Sequence, residues 1–196
     1  MTVAVSGIIG ARRNGRGCSA LLRLAICIAT AIISTPLHAS SSDAAESEAI
    51  LLQRLTLTKV EDLDFGQIIE NGGGTVVLSP DPNPSCAPSA NIIHSGTCQA
   101  AVFGGAGTSG RLVNILVPVG RRIVLTGPGA DMEINPVTVS ASPDLQYWFR
   151  IGRSHIHRIV NPTGIFLFRI GGTLQVGANQ TPGLYTGAFD IQVDYY

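Results

Sequence analysis

Charge is scarce in this chain. Asp, Glu, Lys and Arg make up only 13% of its 196 residues, the formal net charge is zero, and lysine occurs once, at Lys59. A nucleic-acid surface needs clustered cations to displace phosphate counterions, so the missing lysine-arginine stripe argues against that partner. Aromatic residues are few as well, at 6%. Heptads rich in Glu, Lys, Leu and Ala are absent, which argues against coiled coils and helical bundles. What the chain does hold is 45% hydrophobic residues, 23 Gly and 11 Pro, with short apolar runs cut by glycine. That apolar content is too high for disorder and favours a β-rich domain.

Residues 1–42 contain four arginines (Arg12, Arg13, Arg16 and Arg23) and no acid, followed by the apolar run Leu24 to Ile33 and by Thr35-Pro36-Leu37-His38-Ala39. This is the layout of a secretory signal, with cleavage expected after Ala39. The apolar run has about half the length that spans a bilayer, so a permanent anchor is not expected. Removing residues 1–39 leaves nine basic against thirteen acidic residues, a formal charge of −4. Cys18 and Cys27 leave with the signal, and the remaining Cys86 and Cys98 are an even pair suited to an oxidising compartment. One disulfide is expected. A structural metal site would want four clustered Cys or His ligands, and His94 is the one candidate nearby, so no metal or other cofactor is expected.

Residues 40–53 are small, polar and acidic at first, and read as a flexible arm. Residues 54–196 have the size of a single domain. Leu55, Leu57 and Lys59 alternate with Thr56, Thr58 and Val60, which predicts the first strand, and Thr75 to Leu78 predicts another after a triple-glycine turn. Ser79 to Gln99 carries four prolines and both remaining cysteines, and predicts a surface loop pinned by its bridge. Further runs follow at Ala101–Phe103, Arg111–Val117, Arg121–Thr126, Val137–Ala141, Leu145–Ile151, His155–Val160, Ile165–Ile170 and Thr173–Val176. Strands at this spacing, with no amphipathic helix between them, predict an all-β antiparallel sandwich.

The end of the chain has the sharpest pattern. Gly183, Tyr185, Gly187, Phe189, Ile191, Val193 and Tyr195 fall on one face and Leu184, Thr186, Ala188, Asp190, Gln192, Asp194 and Tyr196 on the other, which predicts a long half-buried closing strand. Together with Leu63-Asp64-Phe65-Gly66 and Gly171-Gly172-Thr173-Leu174, this closing stretch resembles a bacterial domain-of-unknown-function family of secreted, pilin-like β-sandwich proteins, close to the spore coat protein U and archaic chaperone–usher pilins. Tyr195 is the penultimate aromatic and Gly183 the fourteenth residue from the end, as in chaperone–usher pilins. The resemblance implies an immunoglobulin-like sandwich lacking one strand. It implies export to the periplasm and then to the cell surface or beyond, as a subunit that assembles with copies of itself or related subunits. A periplasmic chaperone and an outer-membrane usher are the implied helpers. The closing strand would form the groove edge, and the arm, with Ala45, Ala49 and Leu51 on one face, would be the donor strand, although neither face of the arm alternates strongly.

Other candidate chemistry is thin. His155 and His157 flank Ile156 in a geometry that two metal ligands can use, but Arg150, Arg153 and Arg158 surround them and favour a solvated polar strand face. Glu61, Asp62 and Asp64 lack the spacing of a calcium loop and read as an acidic turn. Gly107-Thr108-Ser109-Gly110 does not match a nucleophile elbow. Gly104-Gly105-Ala106-Gly107 leads into no helix and reads as a flexible hairpin rather than a phosphate loop. No catalytic residue is assigned, and no enzyme activity is expected. Tyr147, Trp148 and Phe149 place aromatics on both strand faces, and an outward ring could stack on a sugar. The alternative to the structural subunit is therefore a self-complete secreted sandwich that binds glycan or protein through these aromatics or through the cysteine loop.

Overall fold

Thr, Val, Ile and Phe at alternating positions, cut by Gly, Pro and Asn, leave the chain little but strands to form. The computed structural model describes residues 48–196. The expected signal at 1–39 and the first part of the 40–53 arm, Ala45 included, lie outside the described residues. In chain order the strands are β1 (Thr56–Glu61), β2 (Gln67–Glu70), β3 (Gly74–Leu78), β4 (Cys86–Pro88), β5 (Ile92–Ser95), β6 (Ala101–Ala106), β7 (Leu112–Leu116), β8 (Ile123–Leu125), β9 (Met132–Ser140), β10 (Leu145–Ile151), β11 (Ser154–Ile159), β12 (Ile165–Val176) and β13 (Gln192–Tyr195). A 3-10 turn, Val119–Arg121, separates β7 from β8.

The fold is an all-β sandwich. One sheet has seven strands, a second has four in the order β10-β11-β7-β13, and β2 and β5 make a two-stranded ribbon. All of these pairings are antiparallel. β12 organises the larger sheet. One of its edges pairs with β9, and the other pairs first with β6 and then with β3, the change falling at Gly171-Gly172. The two expected strands at 165–170 and 173–176 are thus one, because backbone pairing continues through the glycines.

The core lies between the sheets. Phe166, Phe168, Ile170 and Leu174 alternate inward from β12 and are fully buried, as are Val113 and Ile115 from β7. Phe103 stacks on Phe168 with ring centroids 5.3 Å apart and meets Phe189 of the closing segment edge-on at 6.3 Å. Each such side chain contributes about 1.5–3 kcal/mol by leaving water.

Three local expectations change. Ser79–Gln99 is not all loop: β4 pairs with β3, and β5 pairs with β2, because Ala87, Ile92 and Ile93 find partners across space that no local pattern announces. Gly104, Gly105 and Ala106 belong to β6, between β1 and β12, rather than to a flexible hairpin. The closing strand is shorter than its alternation: only Gln192–Tyr195 are laddered, so of the seven alternating residues only Val193 and Tyr195 lie in a strand.

Gly105 shows why glycine sits in a central strand. A Cβ there would lie 2.5 Å from Phe166 Cζ and 2.6 Å from Thr56 O, so β1 and the Phe166 ring close over bare backbone. Gly105→Ala should therefore cost about 1–3 kcal/mol through overpacking, read as a lower urea midpoint with an unchanged slope. An unchanged midpoint would mean that the ring moves aside freely.

Candidate functional site

The closing segment builds the site. After β12 the chain turns back, and the Tyr185 ring settles over Gly127 and Gly129. Its hydroxyl donates to Thr181 O and accepts from Gln180 Nε2, both at 2.8 Å. Thr186 and Thr126 exchange two backbone bonds of 2.8 and 2.9 Å. Gly187 then passes so near β8 that a Cβ would sit 2.2 Å from Val124 O. From Gly187 to Ile191 the backbone has no ladder partner among the described residues, and pairing resumes only where β13 meets β7. β13 is itself an edge: β7 is its one neighbour.

Beside this unladdered stretch opens a groove of about 910 Å³. Leu63, Phe65, Ile123, Leu125, Leu174 and Phe189 give it an apolar lining, drawn from the β1–β2 connection, from β8, from β12 and from the closing segment. Phe65, Ile123 and Leu174 also belong to the core, so the groove reaches the interior of the sandwich. Leu63-Asp64-Phe65-Gly66 forms one wall. Asp64 accepts from Gly66 N at 2.8 Å and exchanges backbone bonds with Gln99, which fixes the turn. The neighbouring acids have structural partners: Asp62 pairs with Lys59 at 2.5 Å, and Glu61 accepts from Gln99 Nε2.

Tyr195 ties the ends of the domain together. Its hydroxyl donates to Gln53 O and accepts from Thr108 N, each at 2.7 Å, while Gln53 N donates to Thr108 Oγ1 at 2.8 Å. The described residues just before Gln53 are exposed: Ile50, Leu51 and Leu52 show apolar surface to solvent, Leu51 almost completely at 98%, and Ala49 is exposed too. Of the expected groove-edge residues, Tyr185, Gly187 and Phe189 line the groove together with Gly183, whereas Val193 and Tyr195 lie in β13, with Ile191 just before it. Ile123 and Leu125 were not expected at the site, since nothing in a three-residue apolar run marks a groove.

The histidine pair is not a solvated face. His155 and His157 are buried, opposite Ile115 and Val113 on the inner side of the four-stranded sheet, while Arg158 points outward over the Trp148 ring at 5.2 Å. The register shift between Tyr147 and Phe149 separates the three aromatics. Tyr147 meets His157 edge-on at 5.6 Å, and Phe149 meets Tyr196, also at 5.6 Å. Trp148 remains half exposed. The two cysteines are joined, Cys86 to Cys98, with Cα atoms 6.0 Å apart.

A family model described as a domain of unknown function, DUF4402, matches residues 55–195. No curated protein and no solved structure matches the chain.

Burial lowers the His155 pKa from 6.5 to about 4, helped by the positive charge of His157, Arg150 and Arg121. Burial lowers His157 as well, against a bond from its Nδ1 to His155 O that raises it. Between pH 6.5 and 4 the unfolded chain takes up a proton at residue 155 that the folded chain refuses, so acidification through this window favours unfolding. The loss should reach roughly 2–3 kcal/mol once solvent screening is allowed for. His155→Leu should flatten the fall in urea midpoint between pH 7 and pH 4.5; an equal fall in both proteins would show that other groups govern it.

Proposed function

We propose a role from the geometry, since the chain belongs to the DUF4402 family, whose function is unknown: it is an exported structural subunit of a bacterial surface appendage or coat that assembles by β-strand complementation. The observation that carries this reading is the apolar groove beside the unladdered Gly187–Ile191 backbone. Unpaired N–H and C=O groups next to open core pockets suit an incoming strand, whose backbone completes the ladder while alternate side chains fill the pockets. The immunoglobulin-like sandwich is then one strand short, as in the spore coat protein U and chaperone–usher pilins.

The occupant is the 40–53 arm of a second copy or of a related subunit. Its own domain leaves that arm unpacked at Ile50 and Leu51, just before the point where Gln53 is tied to Tyr195. In this reading a periplasmic chaperone covers the groove after export, and an outer-membrane usher exchanges it for the arm. A second reading, a self-complete module that binds glycan or protein, draws on the half-exposed Trp148 ring with Arg158 over it. Glycan-array silence together with self-association counts against it.

Surface-recovered protein should run as a ladder on an unboiled denaturing gel and collapse to monomer on boiling, since long strand pairing opens slowly. Deleting residues 40–53 should leave a monomer that binds a synthetic 40–53 peptide one to one, and Leu125→Lys in the groove lining should weaken that binding at least tenfold. Polymer formation by the deletion variant would overturn the reading.

A further inference from the structure

The disulfide has an imidazole beside it. His94, in β5 opposite Ile68, places Nε2 3.3 Å from Cys98 Sγ and 2.8 Å from Phe65 O. Cys86 opens β4 opposite Leu78, and Cys98 lies between β5 and β6. One ligand atom from each of Cys86, His94 and Cys98 falls within 4.8 Å of the other two. All three side chains are half buried, so the cluster is shielded yet reachable.

Metal–sulfur bonds of about 2.3 Å and metal–nitrogen bonds of about 2.0 Å put the donors of a trigonal site about 3.7–4.0 Å apart. That separation fits inside the observed envelope, so once the sulfurs are free they need only part to reach it. Two strand pairs and a bridge hold the frame: β3 carries β4, β2 carries β5, and the bridge between Asp64 and Gln99 anchors the chain next to Cys98. Two thiolates and an imidazole are soft donors that favour thiophilic ions over calcium or magnesium.

We propose that, with the Cys86–Cys98 bond reduced, Cys86, Cys98 and His94 form a three-donor site for a thiophilic d10 cation, Cu(I) or Zn2+. The segment then has two states, a covalent bridge and a metal clip. A dithiol supplies two electrons and two protons, the S–S bond breaks into two thiols, and the dithiol becomes its own disulfide. Ion capture releases the two thiol protons. In the bridged state His94 Nε2 donates its proton to Phe65 O. On capture that ring proton passes to Nδ1 and the Nε2 lone pair goes to the ion. The site needs no second copy of the chain and stands apart from the assembly reading.

The test uses protein reduced with a phosphine under anaerobic conditions, titrated with Cu(I) and, separately, with Zn2+, each against a chromophoric chelator. One equivalent of either ion should bind the reduced chain and none the bridged chain. His94→Ala should weaken binding at least about tenfold, and Cys98→Ser further still. Failure of the reduced chain to bind either ion would overturn the proposal, as would His94→Ala binding as tightly as the wild type. If reduction unfolds the chain, circular dichroism decides: recovery of the β spectrum on adding ion in the wild type but not in His94→Ala supports the site, and no recovery overturns it.

Discussion

A strand has two hydrogen-bonding edges, and β12 uses both along most of its length. One edge serves β9, and the other is shared end to end by β6 and β3. Because the same strand sends Phe166, Phe168, Ile170 and Leu174 into the core, backbone pairing and apolar burial are satisfied together at the centre of the larger sheet. In the four-stranded sheet β11 and β7 likewise pair on both edges, but the sheet gives out at its margin. Its last member, β13, is four residues long and has one neighbour, so the segment leading into it crosses between the sheets with Phe189 anchored on Phe103 and its backbone bonds unspent. The groove is the consequence of that imbalance.

Side-chain alternation and backbone pairing are different properties, and the closing segment separates them. From Phe189 to Tyr195 every second residue is half buried, as the period-2 pattern requires, yet the ladder covers only Gln192–Tyr195. Pattern reports which way a residue faces. It does not report whether a neighbouring strand is present to take the N–H and C=O groups. β3, β7, β10 and β11 were legible because their apolar runs and their hydrogen-bonded spans coincide. β4 and β5 were not, since short segments among prolines become strands only through β3 and β2, which lie elsewhere in the chain.

The site was legible in pieces. Leu63-Asp64-Phe65-Gly66 and Gly183 to Phe189 stood out in the sequence and meet at the groove, whereas Ile123 and Leu125 joined it unannounced. The histidines were misread because arginines at Arg150, Arg153 and Arg158 dominate their local composition. Their parity was the better guide: His155 and His157 share a face with Ile159, which is wholly buried. Two imidazoles in that position stay neutral and help fill the interior as small rings, at the expense of tolerance to acid.

The Tyr195 hydroxyl, held between Gln53 O and Thr108 N, also has a mechanical meaning. Tension applied to the chain ahead of Gln53 does not simply peel β1 from β6. It is met first at a hydroxyl on β13, 142 residues away in sequence, and at the turn between β6 and β7. Force entering at the front of the domain therefore passes to the last strand and, through β7, into the four-stranded sheet. The segment around Gln53 and the last strand thus meet in one joint rather than as two loose ends.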